Sequence, residues 1–262
     1  MILSRRVALN GIQLDDVDER IVVGVIEEQP GNEAITAAAM AYGDGQQVTD
    51  MRRNTLDVVV HFSLWIHKED AAERALLLEK VNAWAAAAAP GILTVNYRPD
   101  RQLRVLLAQA PGGLDIRNWT NDYTITFRAY TVPFWEDALE SSVTSGIMTS
   151  GSIYFNVAGS ARTQADVSIR NRSGMSVSNI TLAVAGKQML FTGIGLGGTA
   201  TLTIDHADDG KYRYIRARVG STSVLQKMSG ADELFVKPGQ NVLTFSASRA
   251  VQVTVTTRGR YL

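Results

Sequence analysis

Between positions 56 and 64 the chain alternates. Leu56, Val58, Val60, Phe62 and Leu64 fall on one side and Asp57, His61 and Ser63 on the other, with Val59 the exception. A period of two carried by β-branched and aromatic residues predicts a half-buried strand. The same rhythm returns over 123–130, where Tyr123, Ile125, Phe127 and Ala129 share a face, and more briefly over Val22–Ile26, Ile92–Tyr97 and Leu103–Leu107. Between these strands the period changes. Asp70 to Ala89 is built from Ala, Leu, Glu, Lys and Arg, the strong helix formers, and Leu77, Val81, Trp84 and Ala88 recur at helical spacing. Acidic residues Glu69, Asp70 and Glu73 suit the helix N-terminus, and Pro90-Gly91 stops it. A helix over about 69–89, roughly 30 Å long at 1.5 Å per residue, is expected to lie across the sheet, with Trp84 as its anchor rather than as a ligand platform.

From Ile153 onward no helical window occurs. Strand candidates are Ala165–Ile169, Val177–Ala185, Gln188–Phe191, Thr199–Asp205, Tyr212–Val219, Leu234–Val236, Asn241–Ala247 and Val251–Thr257. Short alternating strands separated by turns predict an all-β sandwich. The expected fold is therefore mainly β: an N-terminal β-sandwich with one flanking helix and a C-terminal β-sandwich. Gln29–Arg53 is less regular, with Pro30-Gly31 and Gly43-Asp44-Gly45 inside it. A segment of this length in a compact domain is commonly functional, and 29–53 is expected to be a hairpin or arm that reaches a neighbour.

Composition sharpens the division. The 262 residues carry 26 basic and 26 acidic side chains, yet 20 acidic and 13 basic ones lie in 1–140, a net −7, against 6 and 13 in 141–262, a net +7. All four tryptophans and five of six prolines precede position 141, while 14 of 22 glycines follow it. The Ser/Thr/Gly-rich stretch 141–152 is expected to be a linker, giving domains at 1–140 and 153–262. A net charge of zero argues against a chain that grips nucleic acid through overall charge. The absence of cysteine removes disulfides, thiolate metal sites and cysteine nucleophiles together. Met1–Arg6 has charge but no apolar region behind it, so no signal peptide is expected. The most apolar stretch, Ala83–Ile92, is about half the length that spans a bilayer.

Candidate chemistry is sparse. Gly193-Ile-Gly-Leu-Gly-Gly198 fits G-x-G-x-x-G, but a dinucleotide site needs a helix next and Thr199–Ile204 reads as a strand. Asp205-His206-Ala-Asp208-Asp209-Gly210 has the composition of a calcium or acid cluster, yet it falls between two strands and reads as a hairpin turn. Asp15-Asp16-Val-Asp18-Glu19 reads as a solvated loop rather than a metal site. His61 and His67 have no G-x-S-x-G or cysteine partner for a triad. Arg52-Arg53 pairs with an acidic neighbour or is solvated. No catalytic, metal or cofactor site is expected, and the chain reads as a two-domain β-rich interaction protein.

The order of features resembles the distal tail protein family of bacteriophages with long, non-contractile tails. The resemblance rests on Asp15-Asp16 … Arg20-Ile21-Val22-Val23, Arg52-Arg53-Asn54-Thr55-Leu56-Asp57-Val58, Glu73-Arg74 … Leu77-Leu78 … Val81 … Trp84, and Arg98-Pro99-Asp100 … Leu103. It continues through Val132-Pro133-Phe134-Trp135-Glu136, Val236-Lys237-Pro238-Gly239-Gln240-Asn241 and Arg258-Gly259-Arg260-Tyr261-Leu262. It implies a tail-tube-like, ring-forming first domain and a galectin-like second one. It also implies a virion protein, made in the bacterial host's cytoplasm, that forms a hexameric ring at the tail tip. The ring joins the tail tube protein to the baseplate hub, has the tape measure protein as a further candidate partner, and leaves an axial channel for DNA. No enzymatic activity and no membrane anchor are implied. Met51, Arg52, Arg53, Phe134 and Trp135 are the residues expected at the interface with other copies or with partners. Some relatives carry carbohydrate-binding insertions, for which this chain has no room. The alternative is a lectin-like module acting through the C-terminal sandwich. That half has no tryptophan for sugar stacking, and no pair of carboxylates stands out for a glycosidase.

Overall fold

The computed structural model describes residues 6–31, 33–39, 46–67, 70–111, 122–208 and 212–262, and for 33–39 and 46–53 it describes the backbone alone. The chain forms two compact units, one running to Phe134 and the other made of 135–208 and 212–262.

The first unit contains β1 (Val7–Leu9), β2 (Ile12–Gln13), β3 (Ile21–Pro30), β4 (Glu33–Ala39), β5 (Gln46–Arg53), β6 (Leu56–Leu64), α1 (Ala71–Ala86), β7 (Gly91–Val95), β8 (Arg98–Gln109) and β9 (Asp122–Ala129). Seven strands follow the order β2-β1-β7-β8-β9-β6-β3. The 12-residue β8 joins two sheets. Its first part pairs β7 up to Val105↔Gly91, and its end pairs β9 from Leu106↔Arg128. The expected alternation in 56–64 is complete: every even-numbered residue from Leu56 to Leu64 is buried and every intervening residue is half-buried. Phe62, Ile125, Phe127, Leu77 and Val81 are at most 1% exposed, and each fully covered side chain of this size contributes about 1.5–3 kcal/mol. Trp84 anchors α1 as expected. Its ring meets Phe127 edge-on at 5.7 Å, and its indole N–H donates to the Ile12 carbonyl at 2.9 Å.

The helix is shorter than 69–89. Asp70 caps it by accepting the Glu73 N–H at 2.9 Å. Its C-terminus tightens after Ala86, where Ala87 and Ala88 donate to the carbonyls three residues back, Trp84 and Ala85. Ala88 remains buried beyond the last helical turn, so its place in the apolar stripe did not require helix.

The second unit contains β10 (Trp135–Asp137), β11 (Ser141–Thr144), β12 (Met148–Val157), β13 (Thr163–Asn171), β14 (Val177–Val184), β15 (Lys187–Leu196), β16 (Thr201–Asp208), β17 (Arg213–Val219), β18 (Thr222–Ser223), β19 (Met228–Gly230), β20 (Phe235–Val236), β21 (Gly239–Thr257) and β22 (Arg260–Tyr261), with a 3-10 turn at Leu225–Lys227. The main path is β18-β17-β16-β13-β21-β14-β15-β19, with β11 and β12 also on β21. Asn241–Ala247 and Val251–Thr257, expected as two strands, are one strand of 19 residues. Its first half pairs β12 and β14, and its second half pairs β11 and β13. The inward residues Val167, Ile169, Leu182, Phe191, Leu202, Leu243 and Val253 belong to one apolar core. The fold is thus mainly β, with two sandwich-like units and one α-helix among the described residues.

The linker expected over 141–152 is corrected. Residues 141–144 pair with 254–257, and 148–157 pair along most of their length with 239–251. Hydroxyl-rich composition suggested a flexible tether, but these Ser and Thr side chains sit across strands: Ser142 Oγ and Thr256 Oγ1 are 2.9 Å apart, as are the Oγ1 atoms of Thr144 and Thr254. The second unit also begins earlier than expected, at Trp135. Glu136, Asp137 and Glu140 are held there by the C-terminal arginines. Arg260 Nε donates to Glu136 at 2.9 Å, and Arg258 donates to Glu140 at 3.0 Å and to the Asp137 carbonyl at 3.2 Å. Moving these three acids across the boundary changes the charge division to 17 acidic and 13 basic residues over 1–134, net −4, and a net +4 over 135–262.

Candidate assembly interface

Within residues 29–53, expected as a hairpin or arm, the described strands β4 and β5 pair antiparallel. Strands β4 and β5 make a two-stranded sheet of their own, and its register continues that of β3 and β6. Ile26 faces Val60, Pro30 faces Leu56, the Gly31 N–H donates to the Thr55 carbonyl at 2.8 Å, and Glu33 faces Arg53. The pairing keeps step as far as Thr36↔Asp50, and a one-residue slip follows before Ala37↔Val48. Two strands that leave the sheet thus run on together as a ribbon. Gly31 sits where a Cβ would be 2.4 Å from Thr55 Oγ1, so a bare backbone is what lets the ribbon leave the sheet at this point.

The expected contact residues separate. The backbones of Met51, Arg52 and Arg53 lie on β5 opposite Ile35, Ala34 and Glu33, and their side chains lie outside the described residues. Phe134 is half-buried. Trp135 is fully buried, and its backbone pairs with Tyr261. A side chain covered within its own chain supports a surface from behind rather than touching a neighbour.

The remaining candidates resolve into structure. Gly193 and Gly195 lie in β15 with φ of 65° and 62°, and a strand follows, so the glycine pattern serves a strand rather than a phosphate cradle. In the Asp205–Gly210 stretch, Arg216 forks onto Asp205 at 2.9 and 2.7 Å and Arg218 adds a third contact at 3.0 Å. His206 Nδ1 meets Asp166 at 2.7 Å, and Asp209 lies outside the described residues. Two guanidiniums on one carboxylate compete with any cation for its oxygens. Among the described residues no cluster of His, Asp and Glu has the arrangement of a metal site.

The acidic run 15–19 is more than the solvated loop expected. The Asp18 side chain is 9% exposed and accepts from Arg20 Nε at 2.8 Å and Lys80 Nζ at 2.8 Å, while Arg20 also pairs with Glu73. The Arg20 guanidinium and then the Lys80 ammonium hold the Asp18 carboxyl well below the usual carboxylate range. This network fastens the segment entering β3 to α1. Glu28 does the same on the other side of β3, accepting Arg98 at 3.0 and 3.0 Å and the Tyr97 hydroxyl at 3.0 Å. The polar clusters of the first unit therefore position β3, and β3 leads into the hairpin.

No protein-family profile matches the sequence, and no curated protein matches it. Among solved structures, the chain is similar to the SPP1 Dit protein, described as a paradigm of the hub adsorption apparatus in phages that infect Gram-positive bacteria. The TM-score is 0.66 at 14% identity, over 98% of this chain and 99% of that one. A second similar structure is the phage P2 baseplate in its activated conformation with calcium, at a TM-score of 0.45 and 9% identity over 96% and 97% of the two chains. The first likeness establishes that the two chains share a fold from end to end, and the second is too distant to add to it.

Proposed function

We propose that the chain is a structural component of a bacteriophage tail tip, a distal tail protein that assembles into a hexameric ring between the tail tube and the baseplate hub. The observation that carries this reading is the fold correspondence with SPP1 Dit over nearly the whole of both chains. A shared single domain would be weak support, since one fold hosts many functions. Here two units in the same order correspond.

The first unit is the ring-forming domain and the second a galectin-like domain. A head-to-tail contact whose rotation closes produces a ring, and the β4–β5 hairpin, with Met51, Arg52 and Arg53 on it, is the arm across that contact. The partners are other copies of the chain, the tail tube protein, the hub protein and the tape measure protein. DNA passes through the axial channel without specific binding, and the net −4 of the first unit suits a wall that does not hold phosphates. The role is mechanical rather than enzymatic, and the protein works in the virion after synthesis in the host cytoplasm. The lectin-like alternative finds no support in the second unit, whose single tryptophan, Trp135, is buried and offers no face to a sugar.

Native mass spectrometry with negative-stain imaging tests the reading. Six copies of a 28.5 kDa chain give a ring of about 171 kDa with a central hole. A chain that stays monomeric at every concentration, alone and with its tail partners, overturns it.

A further inference from the structure

Asn10-Gly11 is the one Asn-Gly pair in the sequence. It forms the two-residue turn between β1 and β2, with Leu9 facing Ile12 and φ of 52° at Asn10 and 83° at Gly11. Positive φ at both central residues is what the right-handed twist of the flanking strands favours in such a hairpin. Both residues are exposed, and a Cβ added at Gly11 would meet no heavy atom within 4 Å, so water reaches the turn.

This dipeptide carries its own chemistry, because glycine has no side chain to obstruct an approach to its nitrogen. The Gly11 backbone nitrogen can attack Cγ of Asn10. A new C–N bond forms, the Cγ–Nδ2 bond breaks, and ammonia leaves with the proton that Gly11 gives up. Water then opens the resulting succinimide at either carbonyl and leaves aspartate or isoaspartate at position 10. The fold turns the amide away from this route. Asn10 Nδ2 donates to the Ala87 carbonyl at 3.1 Å, and Oδ1 accepts from the Ile92 N–H at 2.8 Å. The Asn10 N–H donates in turn to the Ile92 carbonyl at 2.8 Å. Ala87 and Ile92 belong to the connection from α1 to β7, 77 and 82 residues along the chain from Asn10. Both side-chain bonds must break before Cγ can reach the Gly11 nitrogen.

We propose that Asn10-Gly11 is a modification site, a spontaneous deamidation gated by local release of this turn from Ala87 and Ile92, and that the modified turn does not redock. Ala87 is the C-cap of α1, where the helix dipole already places negative charge. Aspartate would set an ionised oxygen against the Ala87 carbonyl in place of the Nδ2 donor. Isoaspartate would add a methylene to the main chain of a two-residue turn, and Leu9 would no longer face Ile12. The site does not depend on what the chain assembles into.

The test holds the full-length chain at mildly alkaline pH in a urea series that runs from none to beyond its unfolding transition. The tryptic peptide Val7–Arg20, in which Asn10 is the only asparagine, is followed by mass and by separation of its aspartate and isoaspartate forms. Conversion is expected to be at least about tenfold slower in the folded chain than in the unfolded one, and to quicken below the global transition, because releasing one turn costs less than unfolding the whole. Hydrogen exchange of Asn10→Asp tests the product. Its amides at position 10 and at Ile92 are expected to exchange at least about tenfold faster than in the unmodified chain, while those of β6 keep their protection. Equal conversion in folded and unfolded chains, or conversion that begins only with global unfolding, overturns the gate. No conversion of the unfolded chain overturns the site itself. Unchanged exchange in Asn10→Asp overturns the failure to redock.

Discussion

Asn171 is 1% exposed, and every polar atom of its side chain is occupied. Its Nδ2 donates to the carbonyls of Met175, Leu196 and Gly197 at 2.6, 2.9 and 2.9 Å, and its Oδ1 accepts from the Ser173 N–H and hydroxyl at 2.9 and 2.8 Å. One amide therefore closes the turn after β13 and ties it to the end of β15. Asn171→Ala removes five contacts and takes a donor from the buried Leu196 carbonyl, while the Met175 and Gly197 carbonyls keep the Ser173 hydroxyl and the Ala200 N–H; a stranded buried group costs about 1–3 kcal/mol. The expected loss is about 3 kcal/mol, read as a lower urea midpoint with an unchanged slope. Nothing in the sequence around Asn171 marks this role, because two of its partners are 25 and 26 residues away. Asn10 is similar: its side chain bonds the Ala87 carbonyl and the Ile92 N–H. The core side chains were legible because alternation in 56–64 or 123–129 reports burial locally. An amide whose partners lie partly or wholly far along the chain leaves no such local signal.

At the scale of elements, periodicity located the central strands and the helix but could not see where strands change partners. β21 loses its alternation at Ser248 and Arg249, both exposed, where it changes partners, so it reads as two strands, and β11–β12 read as a tether. The hairpin at 29–53 was legible as an irregular insertion, while its register continuity with β3 and β6 is a tertiary property. The Asp18 network shows how the entry to that ribbon is held. Asp18→Asn removes the charge that Arg20 and Lys80 share, and is expected to cost about 1 kcal/mol at neutral pH after allowance for solvent screening. The folded-state carboxyl is depressed below its ordinary value of 3.8. Its stabilisation is therefore complete above that value and fades as pH falls further toward the folded-state value. Urea midpoints of the two proteins should differ at pH 7 and approach each other progressively as pH falls below about 4. A gap that stays the same size from pH 7 down to pH 2 would show that Asp18 contributes through packing instead.

At the scale of the whole molecule, the total charge of zero conceals units of net −4 and +4, and the basic unit is less available than its count suggests. Arg216 and Arg218 share Asp205, Arg260 is held by Glu136, and Arg258 by Glu140. Burial pushes the Arg213 guanidinium down from its ordinary value, with Arg260 nearby acting in the same direction. These five cations are committed within the unit, so releasing them to phosphates would require breaking ion pairs that already exist. Binding to DNA gains its free energy from counterions released by free Lys and Arg, and five of the 13 basic residues over 135–262 are withdrawn from that role. Fluorescence anisotropy with a labelled duplex should therefore give no saturable binding below about 10⁻⁴ M protein at roughly 0.15 M salt, the weak limit of ordinary non-specific association. Any residual binding at low salt should disappear steeply as salt is added. Micromolar binding at physiological salt would mean that a basic face operates in the assembled tail, and a channel that lets DNA slide would then have to be lined by other surfaces.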